Sequence, residues 1–212
     1  MKIDDFLPYI MVEVPGCPYP LATQTLMNVA SDFCQQTLVW NDYSDPITLI
    51  DGQRDYDLDY PIGAKPFATM AVMIGSRKLR PVTMTELQLV LPNWPAATSS
   101  DPAYYNSAFD RDLLSVFPTP LGAVQPMIVR LSYSPNRKAT TLPDLLGDEF
   151  LTAITSGVKA RLMAMQGTPW FNAQMSVYYK TIYDEGVFTA RTAEMHERVP
   201  GNVLVPPRAF GF

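Results

Sequence analysis

Residues 21–45, LATQTLMNVASDFCQQTLVWNDYSD, hold no proline, and neither do residues 144–168 or 170–199, whereas residues 46–143 hold twelve. Proline in a helix interior removes a hydrogen bond and clashes with the preceding turn, but strand ends and turns tolerate it. The distribution reads helix, then a β-rich middle, then helices. Within the first stretch Leu26, Val29, Ala30, Phe33, Cys34, Thr37 and Leu38 recur at spacings of three and four, forming one apolar stripe. The spacing predicts a helix from Tyr19 to Trp40, with Pro20 in its first turn, where a missing N–H costs nothing. A shorter helical piece, Ile3 to Ile10, precedes it and ends at the breaker Val14-Pro15-Gly16.

The middle is patterned as strands. Ile47 to Ile50 and Arg54 to Leu58 flank Asp51-Gly52 and predict a hairpin, because Asp-Gly supplies the positive φ of a tight turn. Phe67 to Ile74 and Lys78 to Val82 flank Gly75-Ser76 as a second hairpin. Thr83 is placed as N-cap of a short helix, with Glu86 three residues later in the capping-box position. Tyr104 to Phe109, Leu113 to Phe117 and Met127 to Tyr133 complete a set of six to eight short strands, which suits a small sandwich or twisted sheet.

Beyond Pro143, Phe150, Ile154, Val158, Leu162 and Met165 share a helical face that stops at Gly167 and Pro169. A last helix runs from about Asn172 to Glu197, with Met175, Tyr178, Tyr179, Ile182 and Tyr183 inward. Residues 200–212 are too rich in Pro and Gly for helix, yet carry five large apolar residues, which favours a covering partner. The expected fold class is α+β. Residues 1–45 and 143–199 make a helical bundle, residues 46–142 an inserted antiparallel, sandwich-like β domain, and residues 200–212 an extended tail.

Composition narrows the function. Hydrophobic residues make up 47% and charged ones 17%, the latter below the roughly 25% of ordinary soluble domains, so much of the surface is expected to lie in a permanent assembly. With Lys+Arg 16 against Asp+Glu 21 the net charge is −5 and the pI about 4.8, which argues against a dedicated nucleic-acid binder. No apolar run approaches about 20 residues, so no membrane span is expected. Met1-Lys2-Ile3-Asp4-Asp5 has acids where a signal peptide needs an apolar core, which reads as cytoplasmic synthesis. Cys17 and Cys34 read as small buried hydrophobes.

Catalytic patterns are sparse. The single histidine, His196, sits near a helix C-terminus, where its charge favours the helix dipole. Zinc-protease, nucleophile-elbow, phosphate-loop and dinucleotide fingerprints do not occur, and no cofactor or metal is expected. Asp55, Asp57 and Asp59 alternate with Tyr56, Leu58 and Tyr60, which is the pattern of a strand with one wet face. The loop lacks the Gly and distal Glu that a Ca²⁺ loop requires. Trp94, Tyr104, Tyr105 and Phe109 could stack on sugars or bases, although core or interface packing is the commoner use of such residues.

A collinear set of segments adds a further reading. Phe6-Leu7-Pro8-Tyr9-Ile10, Val14-Pro15-Gly16-Cys17-Pro18 and Ala30 to Trp40 open it, followed by Gly52 to Leu58, Pro118-Thr119-Pro120, Tyr133-Ser134-Pro135 and Leu142-Pro143-Asp144. Ala153 to Val158, Pro169-Trp170-Phe171 and Gly186 to Arg191 close it. Together these resemble the head-to-tail adaptor proteins of podovirus-type tailed bacteriophages over nearly the whole chain. Val158 follows Gly157 where many relatives continue with Ala.

The resemblance implies a structural virion protein without catalysis, assembled in the host cytoplasm and located at the neck between head and tail. It implies a ring of twelve copies attached below the portal protein, extending the DNA channel and presenting a platform for the tail nozzle or tube. Genomic DNA would pass through without specific binding, which suits an acidic chain. The C-terminal extension becomes the portal hook, with Leu204, Phe210 and Phe212 as anchors and Arg208 as a polar or ionic lock. The alternatives are a minor tail or head-completion protein outside the portal ring, and a glycan-binding tail module built on Trp94, Tyr104, Tyr105 and the Asp55/Asp57/Asp59 face.

Overall fold

The computed structural model describes residues 1–108, 112–122 and 125–195. A 3-10 turn at Ile3–Asp5 leads into α1 (Pro8–Met11) and α2 (Tyr19–Thr37), followed by β1 (Asn41–Tyr43), β2 (Asp55–Asp57), β3 (Ala64–Ile74), β4 (Arg77–Lys78) and β5 (Arg80–Pro81). Then come α3 (Met84–Val90), β6 (Thr98–Ser99), β7 (Tyr104–Ala108), β8 (Leu113–Phe117), β9 (Thr119–Pro120), β10 (Met127–Pro135), α4 (Asp144–Asp148), α5 (Leu151–Met163) and α6 (Ala173–Met195). N- and C-terminal helices therefore flank a central, largely antiparallel β region with open sheets, the α+β architecture expected.

The helices share one core. Phe33 of α2 is fully buried, its ring centroid 5.2 Å from that of Phe150 and 6.1 Å from that of Tyr183. Buried area of this kind is the main favourable term, about 1.5–3 kcal/mol for each large apolar side chain. α5 is the central helix, with every residue from Ala153 to Ala160 buried. Its neighbours come close because of two glycines. A Cβ on Gly157 would lie 2.6 Å from Tyr183 Cδ2 and 2.8 Å from Val29 Cγ1, and one on Gly186 of α6 would overlap the Ala153 Cβ. Cys17 and Cys34 are free and buried here, and burial pushes the Cys34 thiol up to about 12.

Several details depart from the periodicity. α2 ends at Thr37 and not Trp40, because Leu38 turns left-handed (φ 56°) and its N–H bonds Cys34 O at 2.8 Å. That turn frees Trp40 to pack, tilted, against Tyr133 of β10, ring centroids 5.8 Å apart, where it bridges the helical and β cores. The expected helix over Ile3 to Ile10 is two pieces, split so that Pro8 takes the first position of α1. On α6, Tyr183 is buried and Met175, Tyr179 and Ile182 are half-buried, but Tyr178 is exposed. Gly167, with φ +78°, turns the chain beyond α5 as expected.

The β region forms two four-stranded sheets, ordered β1-β10-β3-β4 and β2-β8-β7-β5, and a small parallel pair of β6 with β9. Ten strands occur among the described residues, more than the six to eight expected, because several edges are only two residues long. The Gly75-Ser76 hairpin forms, with Met73 opposite Lys78. The Asp51-Gly52 signal makes a turn, Gln53 N–H to Ile50 O at 3.1 Å, but not a hairpin. Ile47 bridges to Met127 of β10, while β2 pairs with β8, so the two flanks of that turn serve different sheets. Two short parallel pairs, β5 with β7 and β6 with β9, interrupt the antiparallel pattern.

Candidate assembly site

Two clusters of polar side chains tie α6 to the rest of the molecule, the first of them at the joint between the helices and the β region. The joint centres on β10. Arg130 donates to Glu194 Oε1 at 2.8 Å and to Asn41 Oδ1 at 3.0 Å, and Asn41 donates to the same Glu194 oxygen at 2.9 Å. The Arg130 guanidinium also lies over the Tyr43 ring, 5.6 Å from its centroid. The Arg130 and Glu194 side chains are 18% and 12% exposed, shielded enough for the pair to outweigh a surface ion pair. The last turn of α6 is thereby held to β1 and β10.

A second cluster fixes the opposite end of α6. Lys159 of α5, a buried residue, donates to Glu13 Oε1 at 2.6 Å, Tyr179 donates to Glu13 Oε2, and the Lys159 ammonium lies 5.0 Å from the Tyr179 ring centroid. Burial pushes the Glu13 carboxyl up, but the hydrogen bonds from Lys159 and Tyr179 outweigh it and hold the group below its ordinary value. The hydrogen bond to Glu13, then burial, pushes the Tyr179 hydroxyl up to about 12. This arrangement stitches the α1–α2 loop to α5 and α6.

Of the residues weighed for sugar binding, Trp94 and Tyr104 come together, half-buried, as packing against the small core of Val82, Leu87 and Phe117. Tyr105 is buried, and Trp94 packs edge-on against Phe117, centroids 5.6 Å apart, with the Arg54 guanidinium 5.3 Å from the Trp94 centroid. Asp55 bonds Arg54 and, at 2.5 Å, Ser115 Oγ. Tyr56 and Leu58 are buried while Asp57 and Asp59 are exposed, as expected of a strand with one wet face. Among the described residues no group of three or more His, Cys, Asp or Glu is placed to hold a metal ion, and no helix is long and apolar enough to cross a membrane. Phe109, His196 and the four hook residues Leu204, Arg208, Phe210 and Phe212 lie outside the described residues.

What periodicity did not reveal is the outward apolar content of α6. Val177, Phe188 and Met195, all exposed, fall eleven and seven residues apart and so share one face of the helix. Exposed apolar rows of this kind mark contact surfaces.

No curated protein matches the chain. A family model described as SU10 adaptor protein matches residues 4–203. The match spans the helices, the β region and the joint between them, so the chain belongs to the SU10 adaptor protein family, the non-enzymatic head-to-tail adaptors at the virion neck of tailed phages.

Proposed function

We propose that twelve copies of this adaptor form a ring beneath the portal protein, continue the DNA channel and present the docking platform for the tail nozzle or tube. In this reading residues 1–45 and 143–199 are the bundle, residues 46–142 the inserted block and residues 200–212 the portal hook. Leu204, Phe210 and Phe212 serve as anchors, and Arg208 as a polar lock. The observation that carries the reading is the joint at Arg130, Asn41 and Glu194, because it fixes the last turn of α6, the turn that precedes the C-terminal residues in the chain. A hook launched from a fixed point loses less orientational freedom on binding than one launched from a loose end. The net charge of −5 supports passage of DNA without retention.

Native mass spectrometry of the full chain, alone and mixed with the portal oligomer of the same genome, tests this directly. The expected product carries one adaptor per portal subunit; no association at any salt concentration refutes the ring. Truncation after Pro200 is expected to abolish attachment, and normal assembly by the truncated chain refutes the hook.

A further inference from the structure

The two sheets carry opposite charge at their opposite ends. In the first sheet the edge strand β1 is Asn41-Asp42-Tyr43 and the far edge β4 is Arg77-Lys78; in the second, the edge β2 is Asp55-Tyr56-Asp57 and the far edge β5 is Arg80-Pro81. Each pair of edges is separated by three strand spacings, about 14 Å. The basic edges adjoin one another, since the chain crosses from β4 to β5 through buried Leu79 alone. Leu79 N–H bonds Val72 O in one sheet at 2.8 Å, and Arg80 N–H bonds Ala103 O at 2.9 Å beside the other. The chain likewise passes from β1 to β2 through residues 44–54, first along β10 at Ile47 and then along β8, where Val116 N–H bonds Arg54 O at 3.0 Å.

The β block thus has an acidic corner and a basic corner on opposite sides. The acidic corner exposes Asp42, Asp45, Asp57 and Asp59; of the cations beside it, Arg54 is engaged with Asp55 and Arg130, largely shielded behind Tyr43, with Glu194. The basic corner exposes Lys78 and Arg80. Arg77 there pairs with Asp101, and Glu86, whose carboxylate feels Arg80, is held in the Thr83 cap. Charge on an edge strand commonly guards a sheet against edge pairing, and either sign suffices for that. Segregation of sign adds something else: two like corners repel, so a corner is disfavoured from meeting its own counterpart, while unlike corners of two copies attract. A contact between two different surfaces of the same chain is heterologous, and with a closing rotation it yields a ring. Exposed Tyr43 and Ile50 add apolar area beside the carboxylates.

We infer that neighbouring copies meet head to tail through the β block, the acidic corner of one copy against the basic corner of the next. This rests on the ring reading above. Two full-length variants test it: Asp42→Lys with Asp57→Lys, and Lys78→Glu with Arg80→Glu. The first cancels the charge of the acidic corner, the second makes both corners acidic, and each alone is expected to weaken association between copies by about 100-fold. An equimolar mixture sets opposite charges facing at the substituted positions of one contact and the native positions of the next, and is expected to rebuild rings in which the variants alternate, visible by their masses in native mass spectrometry. Far-UV circular dichroism verifies folding. The milder pair Asp42→Asn and Lys78→Gln, expected to flatten the salt dependence of association, serves if a reversal fails to fold. Rings from either reversed variant alone, or well-folded variants that fail to assemble when mixed, overturn the corner contact while wild-type rings leave the adaptor ring standing. Wild-type protein that forms no ring with portal present overturns both.

Discussion

Replacing Gly186 by alanine isolates the closest approach between α5 and α6. The added Cβ would overlap that of Ala153, and separation to ordinary contact requires the helices to part by about 1 Å. Alanine in a helix interior is better than glycine by about 1 kcal/mol, whereas overpacking a close contact costs about 1–3 kcal/mol. With the cost toward the upper end, because both Cβ atoms are rigidly attached to helix backbone, the net loss is about 1–2 kcal/mol. For a chain of 212 residues this lowers Tm by about 2–8 °C. Ala153→Gly alone loses about 1 kcal/mol of helix propensity. The double variant moves one methyl from α5 to α6, removes the overlap and is expected to fall near wild type, giving a coupling of about 2–3 kcal/mol. Thermal and urea unfolding followed at 222 nm provide all four corners of the cycle. A Tm for Gly186→Ala above wild type, or additive effects in the double variant, would refute the packing argument.

Two other outcomes follow from local chemistry. Thr83→Ala removes the side-chain oxygen that accepts from Glu86 N–H at 3.2 Å, and is expected to cost about 1 kcal/mol, with faster amide exchange at Leu87 as the local readout. The folded-state pKa of Glu13 lies below its ordinary value of 4.5, so its contribution is complete above that pH and is lost as pH falls through the lowered value. Tyr179 is raised, so its contribution is complete below pH 10 and is lost as pH climbs toward about 12; Glu13→Gln is expected to flatten the acid limb, and Tyr179→Phe the alkaline one, in stability measured against pH.

The parts of the fold that rest on local rules were readable in the chain. Proline punctuation separated helix from strand, the α2 stripe from Leu26 to Thr37 is buried, and the Thr83–Glu86 capping box forms. The end of α2 was not readable, because Leu38 adopts a left-handed conformation without the Gly or Asn that usually announces one. Nor were the partners of the Asp51-Gly52 turn: a turn signal fixes the reversal, but pairing of Asp55 with Ser115 and of Ile47 with Met127 depends on residues about 60 to 80 positions away. Tyr178 and Tyr179 are adjacent on a helix and differ by about 100° in direction, enough to expose one and bring the other to Glu13. The joint at Arg130 combines three distant segments, and no spacing in the sequence links Asn41, Arg130 and Glu194.

That joint also sets a load path. A pull on the chain beyond Met195 reaches Glu194 first and passes to Arg130 near the middle of β10, which is laddered on both sides, to β1 and to β3. Tension along α6 is thereby shared across two rows of interstrand hydrogen bonds before α6 can peel from α5. Under such a pull the chain would yield last at the sheet and first at the contacts of Glu194 with Arg130 and Asn41, which can break and re-form without unfolding either half.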